Sequence, residues 1–364
     1  MIDLFIATGE MSGDVNGAKL VEELLQLRPH LKIGAVAGPH MRKWPIQTFF
    51  QMESLKVMGF LDLLPALPKL IWMFYAIRRK ILQLNPKAVV CIDYPGLHLR
   101  LERSLRKKGY TGKLIHFICP TVWAWGKKRI PLMAQNLDLL LTLFPFEKSC
   151  FTGTTLNVQY VGHPLALPIA QFKPAGQFSG KILGLFPGSR KTEIERNLPL
   201  QLKIARKLKE ADPELQIAIS QTGFPIQAED ALIVPSENRY ELMRSCHLAL
   251  ATSGTVTLEL ALHAVPTVVC FAIKTLDLLL AQKIFRIDLP FYALPNIIAE
   301  DAVFPELFGP NLTEAKLFFW ADRLLRNAEM REHCLKGCQK VQKILGSGRA
   351  AEEAARAIVS CVDF

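Results

Sequence analysis

Short apolar runs that end in a glycine or proline turn and pass into a helical stretch recur along the whole chain, and this alternation leaves few folds open. The clearest unit lies near the middle. Residues 182–186 are apolar throughout, as a strand covered on both faces of a parallel sheet must be. Pro187-Gly188-Ser189 breaks the run, and Ile194, Leu198, Leu202, Ala205 and Leu208 then recur at helical spacing. Before this unit, strands are expected at 2–7, 32–37, 88–92, 113–118 and 137–143, with helices at 15–27 and 99–108. After it, strands are expected at 215–220, 232–234, 248–251 and 267–271, with helices at 193–210, 239–246, 256–264, 314–327, 329–345 and 350–361. The pattern predicts an α/β fold with parallel sheets covered by helices on both faces.

At 364 residues the chain is longer than one typical domain. Lys173-Pro174-Ala175-Gly176 and Ser179-Gly180 make a polar, Pro/Gly-punctuated stretch between apolar segments. A boundary is expected there, giving doubly wound domains at 1–172 and 181–330, with closing helices at 331–364 expected to pack back on the first domain of the same or a partner chain. Folds of this kind bind ligands at the carboxyl ends of their strands.

Four turns fall at such strand ends. Gly9-Glu10-Met11-Ser12-Gly13-Asp14 opens a helix but is not Gly-x-Gly-x-x-Gly. Ser12 and Asp14 suit helix caps, whereas Glu10 is not needed for capping. Asp93 follows the apolar run 88–92 directly. Partial desolvation there would raise its pKa and suit a general base; an Asx-turn with Tyr94-Pro95 is the structural reading. In the central unit, Gly188, Ser189 and Arg190 sit at a helix start, where amides and a guanidinium favour an anion; an ordinary turn with a solvated Arg is the alternative. No Gly-Lys-Ser/Thr is present, so this is not a Walker loop. Ser253-Gly254-Thr255 repeats the arrangement, and Glu259 in its helix either meets a ribose diol or complements the helix dipole.

A formal charge of +11 favours anionic partners: nucleic acid, phosphorylated substrates or an acidic membrane. The aromatic residues do not interleave with the basic clusters, so nucleic acid is not expected. One stretch suits a membrane. Leu67, Leu70, Ile71, Phe74, Ile77, Ile81 and Leu82 form a core-facing stripe, which leaves Trp72, Met73 and Tyr75 on the other side before Arg78-Arg79-Lys80. This reads as an interfacial helix; a helix buried on both sides or at a subunit interface is the alternative. Trp123-Ala124-Trp125 beside Lys127-Lys128-Arg129 suits an interface, a sugar face or plain packing. Met1 leads straight into the first apolar run, so no leader is expected, and no uncharged run reaches the ~18 residues of a membrane span. The eight cysteines form no Cys-x-x-Cys pair and fit a reducing cytosol. His333-Cys334 with Cys338 lacks an evident fourth ligand, and there is no Asp-x-Asp, so neither metal nor cofactor is expected.

Read together and in order, Gly9-Glu-Met-Ser-Gly-Asp14, Val36-Ala-Gly-Pro39, Val57-Met-Gly59, Ile92-Asp93, Val122-Trp-Ala-Trp125 with Lys128-Arg129, Pro145-Phe-Glu-Lys148, Val161-Gly-His163, Pro187-Gly-Ser-Arg190, Ser253-Gly-Thr255 and Leu294-Pro-Asn296 resemble the lipid-A-disaccharide synthases. These are glycosyltransferases of Gram-negative envelope biosynthesis. The resemblance implies the GT-B fold, two Rossmann-like domains facing across a cleft. It implies transfer of 2,3-diacylglucosamine from UDP to 2,3-diacylglucosamine 1-phosphate (lipid X), with inversion and release of UDP. It also implies peripheral association with the cytoplasmic face of the inner membrane, with Leu67, Leu70, Ile71, Trp72, Met73 and Phe74 handling acyl chains, and homodimers that exchange C-terminal parts. By position, Asp93 and Arg190 match essential residues, with Glu10 and Ser12 at the cleft mouth. Ser253, Gly254, Thr255, Glu259 and Asn296 match the nucleotide side. One departure is visible: the family's Asp-Ala-Pro-Asp-Phe is Asp93-Tyr94-Pro95-Gly96-Leu97 here, so a base at the second carboxylate would be missing, which leaves Asp93 as the stronger candidate. The competing readings are another GT-B enzyme using UDP-GlcNAc, such as a peptidoglycan glycosyltransferase or a 2-epimerase, and a non-catalytic lipid-binding relative.

Overall fold

The computed structural model describes residues 2–55, 63–273, 289–346 and 348–364; the Val57-Met58-Gly59 motif lies outside these. The chain folds as two compact units, Met1–Pro164 with Ser347–Phe364, and Leu165–Gly346.

Among the described residues the first unit carries strands β1 (Leu4–Thr8), β2 (Ile33–Ala37), β3 (Gln47–Gln51), β4 (Ala88–Ile92), β5 (Lys113–Phe117), β6 (Leu139–Thr142) and β7 (Asn157–Tyr160). They pair in parallel in the order β3-β2-β1-β4-β5-β6-β7. Its helices are α1 (Met11–Leu27), α2 (Leu63–Leu84), α3 (Pro95–Lys107) and α4 (Ile130–Asn136), joined by the last helix of the chain. The second unit carries β8 (Lys181–Phe186), β9 (Leu215–Gln221), β10 (Leu232–Pro235), β11 (Cys246–Ala251), β12 (Thr267–Phe271) and β13 (Glu306–Phe308), parallel in the order β10-β9-β8-β11-β12-β13. Helices α5 (Ala166–Ala170), α6 (Lys191–Ala211), α7 (Arg239–Ser245), α8 (Thr255–Leu262), α9 (Leu294–Ala299), α10 (Glu314–Arg326) and α11 (Ala328–Leu345) belong with it. Helix α12 (Ala350–Cys361) returns to the first unit.

Both sheets are doubly wound, and this places the sites. Strand order reverses between β1 and β4 in one sheet and between β8 and β11 in the other, the switch points where such folds open a crevice. Thr8 pairs with Ile92, so the turns that begin at Gly9 and Asp93 lie side by side. Phe186 pairs with Ala251, which does the same for the turns at Pro187 and Thr252. β1 and β4 are buried along their whole length, which is why their sequences are uninterrupted apolar runs.

One face of the first sheet packs Leu20, Val21 and Leu24 of α1 against Ala354, Ala355 and Ile358 of α12. The other packs Met73, Ile77 and Ile81 of α2 with Leu101 and Leu105 of α3. Asp14 does not cap α1. It is fully buried and accepts backbone N–H groups from Gly38 (2.8 Å), His40 (2.7 Å) and Met41 (3.2 Å), tying α1 to the turn after β2. The turn after β1 is also shorter than its sequence suggests, because Met11–Asp14 already form the first turn of α1.

The polar stretch at 173–180 is not a free link. Ala175, Gly176 and Gln177 donate their amides to the buried Glu241 carboxylate at 2.9, 2.7 and 3.0 Å. The first division falls after Pro164, so 165–172 goes with the second unit. Of residues 331–364, α11 stays in the second unit, where Lys340 Nζ donates to Ala299 O (2.7 Å) and Gln342 Nε2 to Leu262 O (2.8 Å). Only the segment from Ser347 onward packs with the first unit.

Candidate active site

In the first unit, Asp93 and Glu10 come together at the β1–β4 switch point. Asp93 (φ 49°) and Tyr94 (φ 51°) both adopt left-handed backbone, a conformation that costs a non-glycine residue on the order of 1–3 kcal/mol and clusters at functional sites. This turn leads from β4 into α3, whose first residue is Pro95. The Tyr94 ring lies against Gly9: a Cβ there would sit 2.2 Å from Tyr94 Cδ1, so only glycine fits. Asp93 is half-buried, and its Oδ1 accepts the Tyr94 amide at 2.8 Å, the Asx-type contact its position suggests. Burial first, and the Glu10 carboxylate second, push the Asp93 carboxyl up, against the Tyr94 amide and His116, which pull it down. An exposed Glu10 accepts from Ser12 Oγ at 2.7 Å. Glu10, Ser12 and Asp93 therefore form one cluster in which the raised Asp93 carboxylate is a better proton acceptor than an ordinary one.

In the second unit, the loops after β8 and β11 border a cavity of 510 Å³, within the ~300–1,000 Å³ of small-molecule sites. Gly188, Ser189 and Arg190 line it from one side, and Ser253, Gly254, Thr255 and Glu259 from the other. Gly188 has φ 116°, and a Cβ there would meet Glu193 Oε2 at 2.7 Å. Glu193 occupies the start of α6. Its Oε2 accepts the Ser189 and Arg190 amides at 3.2 and 3.4 Å, and its Oε1 pairs with Arg190 Nη1 at 3.0 Å. The guanidinium is otherwise 81% exposed. A side-chain carboxylate thus holds the amides and the Arg fork that suit an incoming anion.

Glu259 is buried and lies beyond the first turn of α8, so it does not act through the helix dipole. Arg239 Nη2 donates to its Oε1 at 2.8 Å and Tyr240 Oη at 3.1 Å. Burial raises its carboxyl, against the pull of Arg239 and Tyr240. Asn296 stands outside this cavity. Its Nδ2 donates to Phe304 O (2.8 Å) and Glu306 Oε1 (2.9 Å), and its Oδ1 accepts the Phe304 amide (2.8 Å), so it braces α9 against the start of β13. Arg239, Thr252 and Glu193 border the cavity without having been legible as site residues. Nothing in Asn238-Arg239-Tyr240 marks a partner for Glu259 twenty residues on, because the pairing is tertiary.

Helix α2 differs in phase from the sequence reading. Met73, Ile77 and Ile81 set the buried line, with Leu70 and Phe74 packed beside them. Leu67, Ile71 and Tyr75, four residues apart, form the opposite line with Trp72, which is 65% exposed. Leu70, Met73 and Phe74 therefore serve the core, and the free apolar surface is Leu67, Ile71, Trp72 and Tyr75. The basic triplet also divides. Arg78 donates to Ser104 Oγ at 3.0 Å and Lys80 lies 4.6 Å over the Phe49 ring, leaving Arg79 exposed. Trp123 packs edge-on against Phe146, while Trp125 is exposed with Arg129 stacked over it at 4.6 Å. Among the described residues, no helix is long and apolar enough to cross a membrane.

Residues 4–359 match the family model for lipid-A-disaccharide synthetase. The chain belongs to that family. It is 37% identical over 368 residues to the lipid-A-disaccharide synthase of Chlamydia pneumoniae, covering 96% of this chain and 61% of that protein. The chain thus spans about three fifths of the length of its Chlamydia relatives. It is 32% identical to the lipid-A-disaccharide synthase of Rhodospirillum centenum, covering 99% of this chain and 94% of that protein. Among solved structures, a putative UDP-N-acetylglucosamine 2-epimerase from Listeria monocytogenes shares the fold with a TM-score of 0.66 at 15% identity, covering 99% of this chain and 96% of that one. The UDP-GlcNAc 2-epimerase of Neisseria meningitidis, solved with UDP-GlcNAc bound, has a TM-score of 0.66 at 12% identity, covering 99% and 100%. These members of the lipid-A-disaccharide synthetase family and these fold neighbours agree with the GT-B architecture, two doubly wound parallel sheets, that the motifs imply.

Proposed function

We propose that the protein is an inverting glycosyltransferase that joins UDP-2,3-diacylglucosamine to lipid X, giving the β-1,6-linked tetraacyl disaccharide 1-phosphate and UDP. The observation that carries this reading is the family membership of residues 4–359. The sites support it in chemical terms. Asp93 removes the proton from the acceptor 6-hydroxyl as that oxygen attacks the anomeric carbon, and the bond to UDP breaks on the opposite side. One displacement turns the α-linked donor into a β-linked product. In the second unit the cavity takes the nucleotide, with Glu259 towards the ribose. Arg190 and the amides of the Gly188 and Gly254 turns take the diphosphate, whose charge grows as the bond breaks. Asn296, already saturated by Phe304 and Glu306, is left out of this set.

Leu67, Ile71 and Trp72 of α2 are assigned to acyl chains and to the cytoplasmic face of an anionic inner membrane. A homodimer exchanging C-terminal parts is proposed on the same family basis. A UDP-GlcNAc-using epimerase or peptidoglycan glycosyltransferase is not favoured, because the likeness to epimerases is one of fold at 12–15% identity. Purified protein given UDP-diacylglucosamine and lipid X is expected to yield UDP and disaccharide in equal amounts. Turnover of unacylated UDP-GlcNAc instead would overturn the reading.

A further inference from the structure

Beneath Asp93 lies a buried polar group that the reaction above does not use. His98 of α3 is fully buried, and its Nδ1 lies 2.7 Å from the Asp93 carbonyl oxygen. A carbonyl only accepts, so Nδ1 carries the proton, and Nε2 is left buried with no hydrogen-bond partner among the described residues. On the neighbouring strand β5, His116 is equally buried, with Nδ1 2.6 Å from Glu102 Oε1; its Nε2 is also buried and unpartnered. His116 pairs with Cys91 across the sheet, two residues before Asp93. The groups around the Asp93 carboxyl are thus Glu10 from the start of α1, the Tyr94 amide, and His116, with Glu102, Cys91 and His98 behind them.

We propose that His98 is the positioning residue of Asp93: its Nδ1–H holds the Asp93 carbonyl, and with it the left-handed turn that presents the carboxylate, while the Glu102–His116 pair closes the buried end of the unit. Three observations converge on it. Asp93 and Tyr94 are successive non-glycine residues at positive φ, which persist only where surroundings fix them. The His98 contact spans that turn, and the His98 ring also packs edge-on against Tyr94 at 5.8 Å. Burial first, and His116 second, hold His98 down to about pKa 3, so it stays a neutral single donor at working pH. An ionised His98 would compete with the hydroxyl proton for Asp93; a neutral one fixes geometry without doing so.

The inference rests on the glycosyltransferase reading for its kinetic test. His98→Leu keeps the volume and removes the donor; it is expected to lower kcat roughly tenfold or more while KM for both substrates stays within about twofold. His98→Asn, whose Nδ2 stands where Nδ1 stood, should recover most of that loss. His116→Gln removes a group that lowers Asp93, so the acid limb of kcat should move to higher pH. Wild-type kcat in a folded His98→Leu overturns the proposal. So does a folded His98→Asn as slow as His98→Leu; if the Leu variant does not fold, a folded His98→Asn whose kcat is lowered roughly tenfold or more overturns the proposal. If the wild type makes no disaccharide, the functional reading fails separately. The Asp93 Cα shift by NMR then tests the positioning, its left-handed signature expected to persist in His98→Asn and to vanish in His98→Leu.

Discussion

Asp93 and Glu10 show what a single switch-point position does to two carboxyls. Their charges adjoin, and both burial and Glu10 hold Asp93 above the usual carboxylate range. A base must be deprotonated to act, so activity is expected to fall as pH drops through that raised pKa. Glu10→Gln removes the like charge and should shift the acid limb of kcat to lower pH; an unmoved limb would dissociate the pair. Asp93→Asn should cut kcat by ~10²–10⁴ while UDP affinity, measured by calorimetry, stays near wild type. At the other site, Arg190→Ala should weaken UDP binding by about 1.5–3 kcal/mol, the value of a charge-assisted contact. Glu193 works in the opposite direction, because its carboxylate holds the same amides and guanidinium. Glu193→Gln is expected to tighten UDP binding, and weaker binding in a folded variant would place Glu193 with the ligand rather than against it. Asp93, Glu10 and Arg190 were legible because they lie in the turns that end apolar runs. Arg239 was not, since its pairing with Glu259 is tertiary; Glu193 and His98 act on residues three to five positions away, but which backbone groups they hold depends on the shape of the turn and not on composition.

At the scale of elements, α2 carries the prediction. Leu67→Ser, Ile71→Ser and Trp72→Ser together remove the exposed line and leave Met73, Ile77 and Ile81 in the core. Each buried CH₂ contributes ~0.8 kcal/mol to membrane association, so the triple variant should leave the membrane fraction with its melting temperature nearly unchanged. A loss of many degrees would mean that this line is packed in the native state. Met73→Ser alone, by contrast, should destabilise the first unit by roughly 2–5 kcal/mol, the range for emptying a core site. The sequence showed an apolar excess here but not its phase, because a helix apolar on most sides allows several stripes. Buried strands were the easier reading: 88–92 and 267–271 coincide with β4 and β12, and 182–186 falls within β8. The edge strands β3, β7 and β13 escaped it. They present exposed or half-exposed residues, so Gln47–Gln51 and Asn157–Tyr160 lack the apolar run that marks a covered strand.

For the whole molecule, three buried histidines weaken the fold in acid. Burial holds His98 near pKa 3 and His163 and His263 near 4. In the unfolded chain each takes up a proton near pH 6.5; in the folded chain none does until far lower. At these three groups the unfolded state therefore binds more protons between about pH 4 and 6.5, and their contribution to stability falls as pH drops through that window, opposed by Glu147, whose carboxyl burial pushes up to about 8. Urea midpoints at the two ends should differ, and His163→Gln with His263→Gln should shrink the difference; an unchanged slope would locate the acid sensitivity elsewhere. The two doubly wound sheets were legible from alternation alone, whereas the pinning of 173–180 by Glu241 was not, since a captured loop and a free one have the same composition. The return of α12 to α1 has a consequence for how the protein is made. The first sheet emerges from the ribosome early, yet Leu20, Val21 and Leu24 stay uncovered until Ala354, Ala355 and Ile358 arrive. At ~5–20 residues per second, residues 165–358 take roughly 10–40 s to synthesise. Through that interval the unit begun first waits with an apolar face open to chaperones, and the unit begun second can close before it.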